Sequence, residues 1–247
     1  REDGKTIALL YNATGVGKTI TAATDAKAVG GRTLFLVNAL KLASQAKETF
    51  AKVWPEATLG EYTGSQKDMT QTVIFATVQS ISKDLEKFSP TDFDYLIVDE
   101  ASQVDLATGV LAFACARNIV IVGDLQQLPN VLDSKNFQDS EAVWSRYSLP
   151  EIYHFSAHSL LSSAITTWSE VPTVLLREHY RCHPKIINFC NQKFYGGKLI
   201  VMTEDHEEPD VLTMYRTAPG NHARGHLNQR QIDVIRQEVL PSLERQG

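Results

Sequence analysis

Five short apolar runs punctuate the first half of the chain, at Thr6–Tyr11, Thr33–Val37, Val73–Thr77, Tyr95–Val98 and Asn118–Val122. Each is apolar throughout, without strict alternation, which predicts strands buried on both faces in a parallel sheet. Between them the spacing changes. Lys18–Val29 is alanine-rich and follows a glycine loop, and Leu40–Val53 carries Leu40, Ala43, Ala46, Phe50 and Val53 at helical intervals. Both segments predict helices, the second ended by Trp54-Pro55, because proline disfavours helix at the residue before it. Strands alternating with amphipathic helices predict an α/β fold, a parallel sheet with helices on both faces.

After Val122 the pattern loosens. Helices are predicted at Asp139–Tyr147 and Ala157–Trp168, then a strand at Val171–Leu176 and a helix at Pro184–Phe194 with proline in its first turn. Strands at Lys198–Met202 and Val211–Tyr215 and an amphipathic helix at Asn228–Leu243 complete the reading. The change near Pro172 predicts a domain boundary, giving domains at 1–172 and 173–247, the second small for an independent α/β domain. There is no internal repeat.

Composition narrows the partners. In 247 residues, 43% hydrophobic content suffices for a core, and 21% charged residues without low-complexity runs do not describe a disordered chain. The net charge of −5 argues against bulk attraction to nucleic acid, so any such binding must be local, in a groove. Cys115, Cys182 and Cys190 are odd in number and lack zinc or disulfide spacing, which suits a reducing, cytoplasmic compartment. No apolar stretch reaches the roughly 18 residues of a membrane span, and no membrane partner is expected.

Ala13-Thr14-Gly15-Val16-Gly17-Lys18-Thr19 stands between the first strand and the first long helix, the context a phosphate-binding P-loop requires. Backbone N–H groups of Thr14, Gly15, Val16 and Gly17 can turn inward around phosphate oxygens. Lys18 can reach the terminal phosphates, and the Thr19 hydroxyl can ligate Mg2+. Asn12 occupies the position where the strict motif has glycine.

The strand Tyr95–Val98 ends in two adjacent carboxylates, Asp99 and Glu100. Ligands of open parallel sheets sit beyond the carboxyl ends of strands, so this pair is expected beside the P-loop. There Asp99 would hold Mg2+, directly or through water, and Glu100 would orient and deprotonate an attacking water. The next strand runs into Gly123-Asp124-Leu125-Gln126-Gln127-Leu128, and the neutral amide of Gln127 is the candidate for sensing a γ-phosphate or the attacking water.

Taken together, Asp99-Glu100-Ala101-Ser102-Gln103, Gly123–Leu128 and His179-Tyr180-Arg181-Cys182-His183-Pro184 resemble motifs of superfamily 1 helicases, specifically the group containing the nonsense-mediated-decay helicase. The resemblance implies a RecA-like P-loop NTPase followed by a partial second RecA-like domain, with ATP and Mg2+ as ligands and single-stranded DNA or RNA as partner. It also implies that Arg181 reaches the γ-phosphate from the second domain and that Tyr180 stacks on adenine. Chemically, a planar guanidinium suits developing phosphoryl charge, and a tyrosine face suits a base. Asn38 and Thr77, after the second and third predicted strands, fall where such motors touch the sugar-phosphate backbone.

The first hundred residues tell a second story. Ala13–Thr19, Phe35–Asn38 and Ala76–Ser80 look more like superfamily 2 translocases of the restriction-enzyme type, whereas the later motifs favour superfamily 1. No fifth or sixth motif with a second arginine precedes Gly247, so the resemblance implies an incomplete motor with impaired turnover. Asn228-Gln229-Arg230-Gln231 has glutamine where the family segment has an acid and receives no catalytic role.

Other constellations fail on spacing. His179, Cys182, His183 and Cys190 fit no common zinc pattern, and glycines flank His222 and His226. Three functions remain open: an ATP-hydrolysing helicase motor, a nucleotide-dependent nucleic-acid-binding switch with negligible turnover, and a phosphotransferase, which the Gly123–Leu128 segment disfavours.

Overall fold

The computed structural model describes residues 17–64, 66–128, 134–209, 211–220 and 223–244, together with the backbone of 7–12. Thr14, Gly15 and Val16, expected to cradle phosphate, lie outside the described residues. The chain divides into two compact units, Arg1–Asp205 and His206–Gly247.

The first unit is built on a seven-stranded sheet. Its strands are β1 (Ile7–Asn12), β2 (Thr33–Val37), β3 (Leu59–Tyr62), β4 (Val73–Thr77), β5 (Phe93–Val98), β6 (Ala116–Gly123) and β7 (Thr173–Leu176). They lie in the order β3, β4, β2, β5, β6, β1, β7, and every neighbouring pair is parallel. The helices are α1 (Lys18–Val29), α2 (Leu40–Val53), α3 (Val78–Lys83), α4 (Leu106–Ala112), α5 (Ser134–Tyr147), α6 (Leu160–Thr167) and α7 (Pro184–Phe194).

Successive strand side chains point to opposite faces, and the two faces make two cores. On one, Leu34, Leu36, Ile74, Ala76, Leu96 and Ile121 pack against α3, α4 and α6. On the other, Phe35, Val37, Phe75, Ile97 and Val122 pack against α1 and α2. The alanines of α1, Ala22, Ala23 and Ala26, let that helix approach the sheet closely. Rings of Phe35, Phe50 and Phe75 interlock with centroids 5.2 to 5.6 Å apart.

Near Pro172 the reading and the structure differ. β7, assigned from sequence to the start of a second domain, pairs with β1 through Leu9↔Thr173 to Asn12↔Leu176, and the first compact unit runs on to Asp205. The loss of apolar pattern before Pro172 reflects α5, whose one buried residue is Ser140, and not a break in the sheet. Beyond β7, the strands β8 (Glu178–His179) and β9 (Ile200–Val201) pair with each other, and Ile187 and Leu199 form a small third core.

In the second unit, the strand expected at Val211–Tyr215 has no regular secondary structure. A two-residue hairpin, β10 (Ala223–Arg224) with β11 (Leu227–Asn228), precedes a helical run whose middle, Ile235–Val239, is π-helical. No helix among the described residues is long and apolar enough to cross a membrane.

Candidate functional site

The carboxyl ends of the parallel strands bring the chemistry-bearing residues to one edge of the sheet. Gly17, with φ of +77°, is the left-handed residue that turns the chain into α1, and Lys18 is that helix's first residue. Asp99 and Glu100 follow β5, and Asp124 and Gln127 follow β6. Lys18, Thr19, Asp99, Glu100, Gln127 and Arg181 all line one cleft of about 860 Å³. A second cleft of about 1050 Å³ shares Gly17, Ile20 and Arg181 with it and is lined further by Tyr180, Arg177 and Thr21.

The acidic turn is tightly made. Glu100 has φ of +52°, a left-handed conformation that costs a β-carbon-bearing residue on the order of 1–3 kcal/mol. The turn is pinned by the Glu100 N–H donating to Asp99 Oδ1 at 2.9 Å, by the Gln103 N–H donating to the Glu100 carbonyl at 2.8 Å, and by the Ala101 N–H donating to the Val122 carbonyl at 2.9 Å. Glycine at 123 suits the place where β6 passes beneath it, because a β-carbon there would meet Leu161 Cδ2 at 2.8 Å and the Ser102 and Ala101 nitrogens at 3.2 and 3.3 Å.

The electrostatics centre on one buried pair. Lys18 Nζ donates to Glu100 Oε1 at 2.7 Å, with both side chains largely shielded from water. Burial pushes the Asp99 carboxyl up to about 6, against the opposing pull of the Lys18 charge. The second oxygen of Glu100, Oε2, is buried without a hydrogen-bond partner among the described residues, an acceptor aligned with what a bound water or cation would need.

A chain of amides crosses the cleft. Asn38, after β2, donates to Gln103 Oε1 at 3.0 Å, and Gln103 donates at the limit of bonding distance, 3.5 Å, to Gln127 Oε1. Gln127 in turn donates to Asp124 Oδ2, also at 3.5 Å. Asp124 is fully buried. Gln103 and Asp124 received no role from the sequence, although both lie inside the segments that were singled out. Their neighbours carried the recognisable chemistry, while these two act through contacts that only the fold creates.

Other expected residues have structural partners. The Thr77 hydroxyl caps α3, accepting from the Ser80 N–H, and Thr77 does not line the cleft. Tyr180 is exposed, and its hydroxyl donates to the Glu178 carboxylate, which raises the phenol's pKa. Arg181, expected from a separate second domain, belongs to the first compact unit. His179 Nε2 accepts from the Cys182 N–H and His183 Nδ1 from the Lys185 N–H, so both rings tie down their own turn.

Residues 1–106 match the family described as type III restriction enzyme, res subunit. The chain is 32% identical over 128 residues to the probable helicase MAGATAMA 3 of Arabidopsis thaliana, covering 51% of this chain and 14% of that protein. It is 30% identical over 115 residues to the DNA replication ATP-dependent helicase/nuclease DNA2 of Gallus gallus, covering 45% of this chain and 10% of that one. The chain therefore spans only a small part of either relative's length. Among solved structures, the complex of Arterivirus nonstructural protein 10, a helicase, with DNA superposes with a TM-score of 0.51 at 15% identity, over 81% of this chain and 42% of that one. That likeness identifies the sheet and its helices as RecA-like. Over about half its length the chain is homologous to superfamily 1 helicases, and it carries a helicase-related ATPase domain.

Proposed function

We propose that the chain is the ATP-binding and ATP-hydrolysing core of a motor that moves along single-stranded DNA or RNA. The observation that carries this reading is the convergence of Lys18, Thr19, Asp99, Glu100, Gln127 and Arg181, from four separate stretches of sequence, on one cleft at the strands' carboxyl ends. In this reading the triphosphate draws Lys18 away from Glu100, while backbone N–H groups of Thr14, Gly15, Val16 and Gly17 hold the phosphates. The Thr19 hydroxyl and the Asp99 carboxylate would hold Mg2+, which would neutralise phosphate charge when bound.

Glu100, released from Lys18, takes a proton from the water that attacks the γ-phosphorus. The bond to the β–γ bridging oxygen breaks, and ADP and phosphate separate. Gln127 reports the γ-phosphate, Arg181 neutralises the developing charge and Tyr180 stacks on the base. Asn38, just after β2, is assigned to the sugar-phosphate backbone of the nucleic acid through the amide chain that it begins, whereas the hydroxyl of Thr77, at the end of β4, is taken by its cap of α3.

The Lys18–Glu100 pair also favours a second reading for this chain by itself: a nucleotide-dependent nucleic-acid-binding switch with low turnover. The pair holds the general base and the phosphate-binding cation against each other at 2.7 Å. Steady-state ATPase measured with and without single-stranded DNA and RNA separates the two readings, since a motor is stimulated and a switch is not. Glu100→Gln is expected to bind ATP as the wild type does and to lose at least about 100-fold in hydrolysis. Lys18→Ala is expected to lose binding. Wild-type hydrolysis by Glu100→Gln would remove the general base from the scheme.

A further inference from the structure

Asp124 stands behind the sensing amide, fully buried, and its Oδ2 receives two donors. One is Gln127 Nε2 at 3.5 Å, and the other is the Tyr195 hydroxyl at 2.6 Å. The contrast in length matters. A hydroxyl donating to a carboxylate at 2.6 Å is a strong, charge-assisted bond, whereas 3.5 Å is the weak limit. The other carboxylate oxygen, Oδ1, accepts from the Gln126 N–H at 2.9 Å, so Asp124 is fixed by the loop that carries Gln127.

Tyr195 caps the far end of α7, its N–H donating to the Asn191 carbonyl. That helix has eleven residues and is about 16 Å long. Its near end, capped by His183, adjoins the turn that carries Arg181 into the cleft. Asn191, also on α7, is buried and clamps the return strand, its side chain bonding both the N–H and the carbonyl of Leu199 at 3.0 Å. One hydroxyl therefore ties the Arg181 wall of the cleft to the carboxylate that holds the sensor wall.

We propose that Tyr195 is a positioning residue that sets the preference for a nucleoside triphosphate over a diphosphate, acting through Asp124 on Gln127 and through α7 on Arg181. The idea rests on the nucleotide site proposed above. With the Tyr195 hydroxyl satisfying Oδ2, the Gln127 amide can turn toward a γ-phosphate at little cost. Without it, Oδ2 draws Gln127 back, and α7 loses its hydrogen bond to the loop after β6. Both changes weaken contacts that only the γ-phosphate makes, so a diphosphate is bound as before.

The test is titration of wild-type and Tyr195→Phe protein, with Mg2+, against fluorescently labelled ADP and a labelled non-hydrolysable ATP analogue. Tyr195→Phe is expected to keep ADP affinity within about twofold and to lose about tenfold for the ATP analogue, a loss of 1.4 kcal/mol. Asp124→Asn, isosteric with the carboxylate, is expected to show the same split. Combining Tyr195→Phe with Arg181→Ala should cost less than the sum of the two, as for residues acting on one interaction. A wild-type ratio of the two affinities in both single variants, equal loss of both nucleotides, or strict additivity overturns the latch. Wild-type protein that binds neither nucleotide instead overturns the site on which it depends.

Discussion

The two walls of the cleft are made differently. Lys18, Asp99 and Gln127 stand on strand ends and on a helix start that are backed by two cores, in which β2 and β4 are buried along their whole length. Arg181 and Tyr180 stand on a short turn between β8 and α7, backed by a cluster in which only Ile187 and Leu199 are buried. The first wall is located by bulk apolar burial on both faces of the sheet. The second is located by a few polar bonds that can be named: Tyr195 to Asp124, Asn191 to Leu199, and His179 to Cys182. Burial of the first kind tolerates partial loss at the periphery, whereas a wall hung on individual bonds changes position when one of them goes.

Three perturbations sharpen this contrast. The largest effect is expected from Phe75→Ala, since its ring is fully buried between Phe35 and Phe50. Truncation should cost about 3–5 kcal/mol, read from urea unfolding, and a loss under about 1 kcal/mol would contradict the idea that this wall rests on its core.

The next concerns Asp99, whose folded pKa of about 6 lies above its ordinary 3.8. Between those values the folded state binds the proton more tightly than the unfolded chain. Stability is therefore expected to fall as pH rises from about 4 to 6 and to level off above, by about 3 kcal/mol. Asp99→Asn should lack this slope in unfolding experiments across that range, and an unchanged slope would place the titrating group elsewhere.

The smallest effect is expected on the second wall. Asn191→Ala removes two bonds to Leu199 and should cost about 2 kcal/mol in stability, read from the same unfolding curves. A loss as large as that of Phe75→Ala would erase the distinction between the walls.

The same contrast separates what sequence shows from what it hides. β2, β4, α1, α2 and α7 begin and end where their apolar spacing and flanking residues place them, because burial on a fixed face dictates the period. The edge strand Leu59–Tyr62, covered on one side only, leaves no continuous apolar run and was not recognised. Nor was the membership of β7 in the main sheet, since pairing with β1 is a long-range choice that four residues do not encode. At the site, the convergence of Lys18, Asp99, Glu100 and Gln127 on one cleft was legible, because these residues sit at strand ends and a glycine turn. Gln103, Asp124 and Tyr195 were not, because their importance lies in bonds across segments far apart in the chain. Thr77 was legible as a strand end, but its hydroxyl is engaged in capping α3, a local bond that competes with any distant partner.

The left-handed backbone at Glu100 sets two selections against each other. Glycine or asparagine would occupy φ of +52° with less strain, yet either would leave the buried Lys18 ammonium without its carboxylate partner, so backbone comfort and charge pairing pull this position in opposite directions. In the proposed reading that pairing is given up whenever a triphosphate binds, and the strain at position 100 is kept for the carboxylate it places beside the cleft.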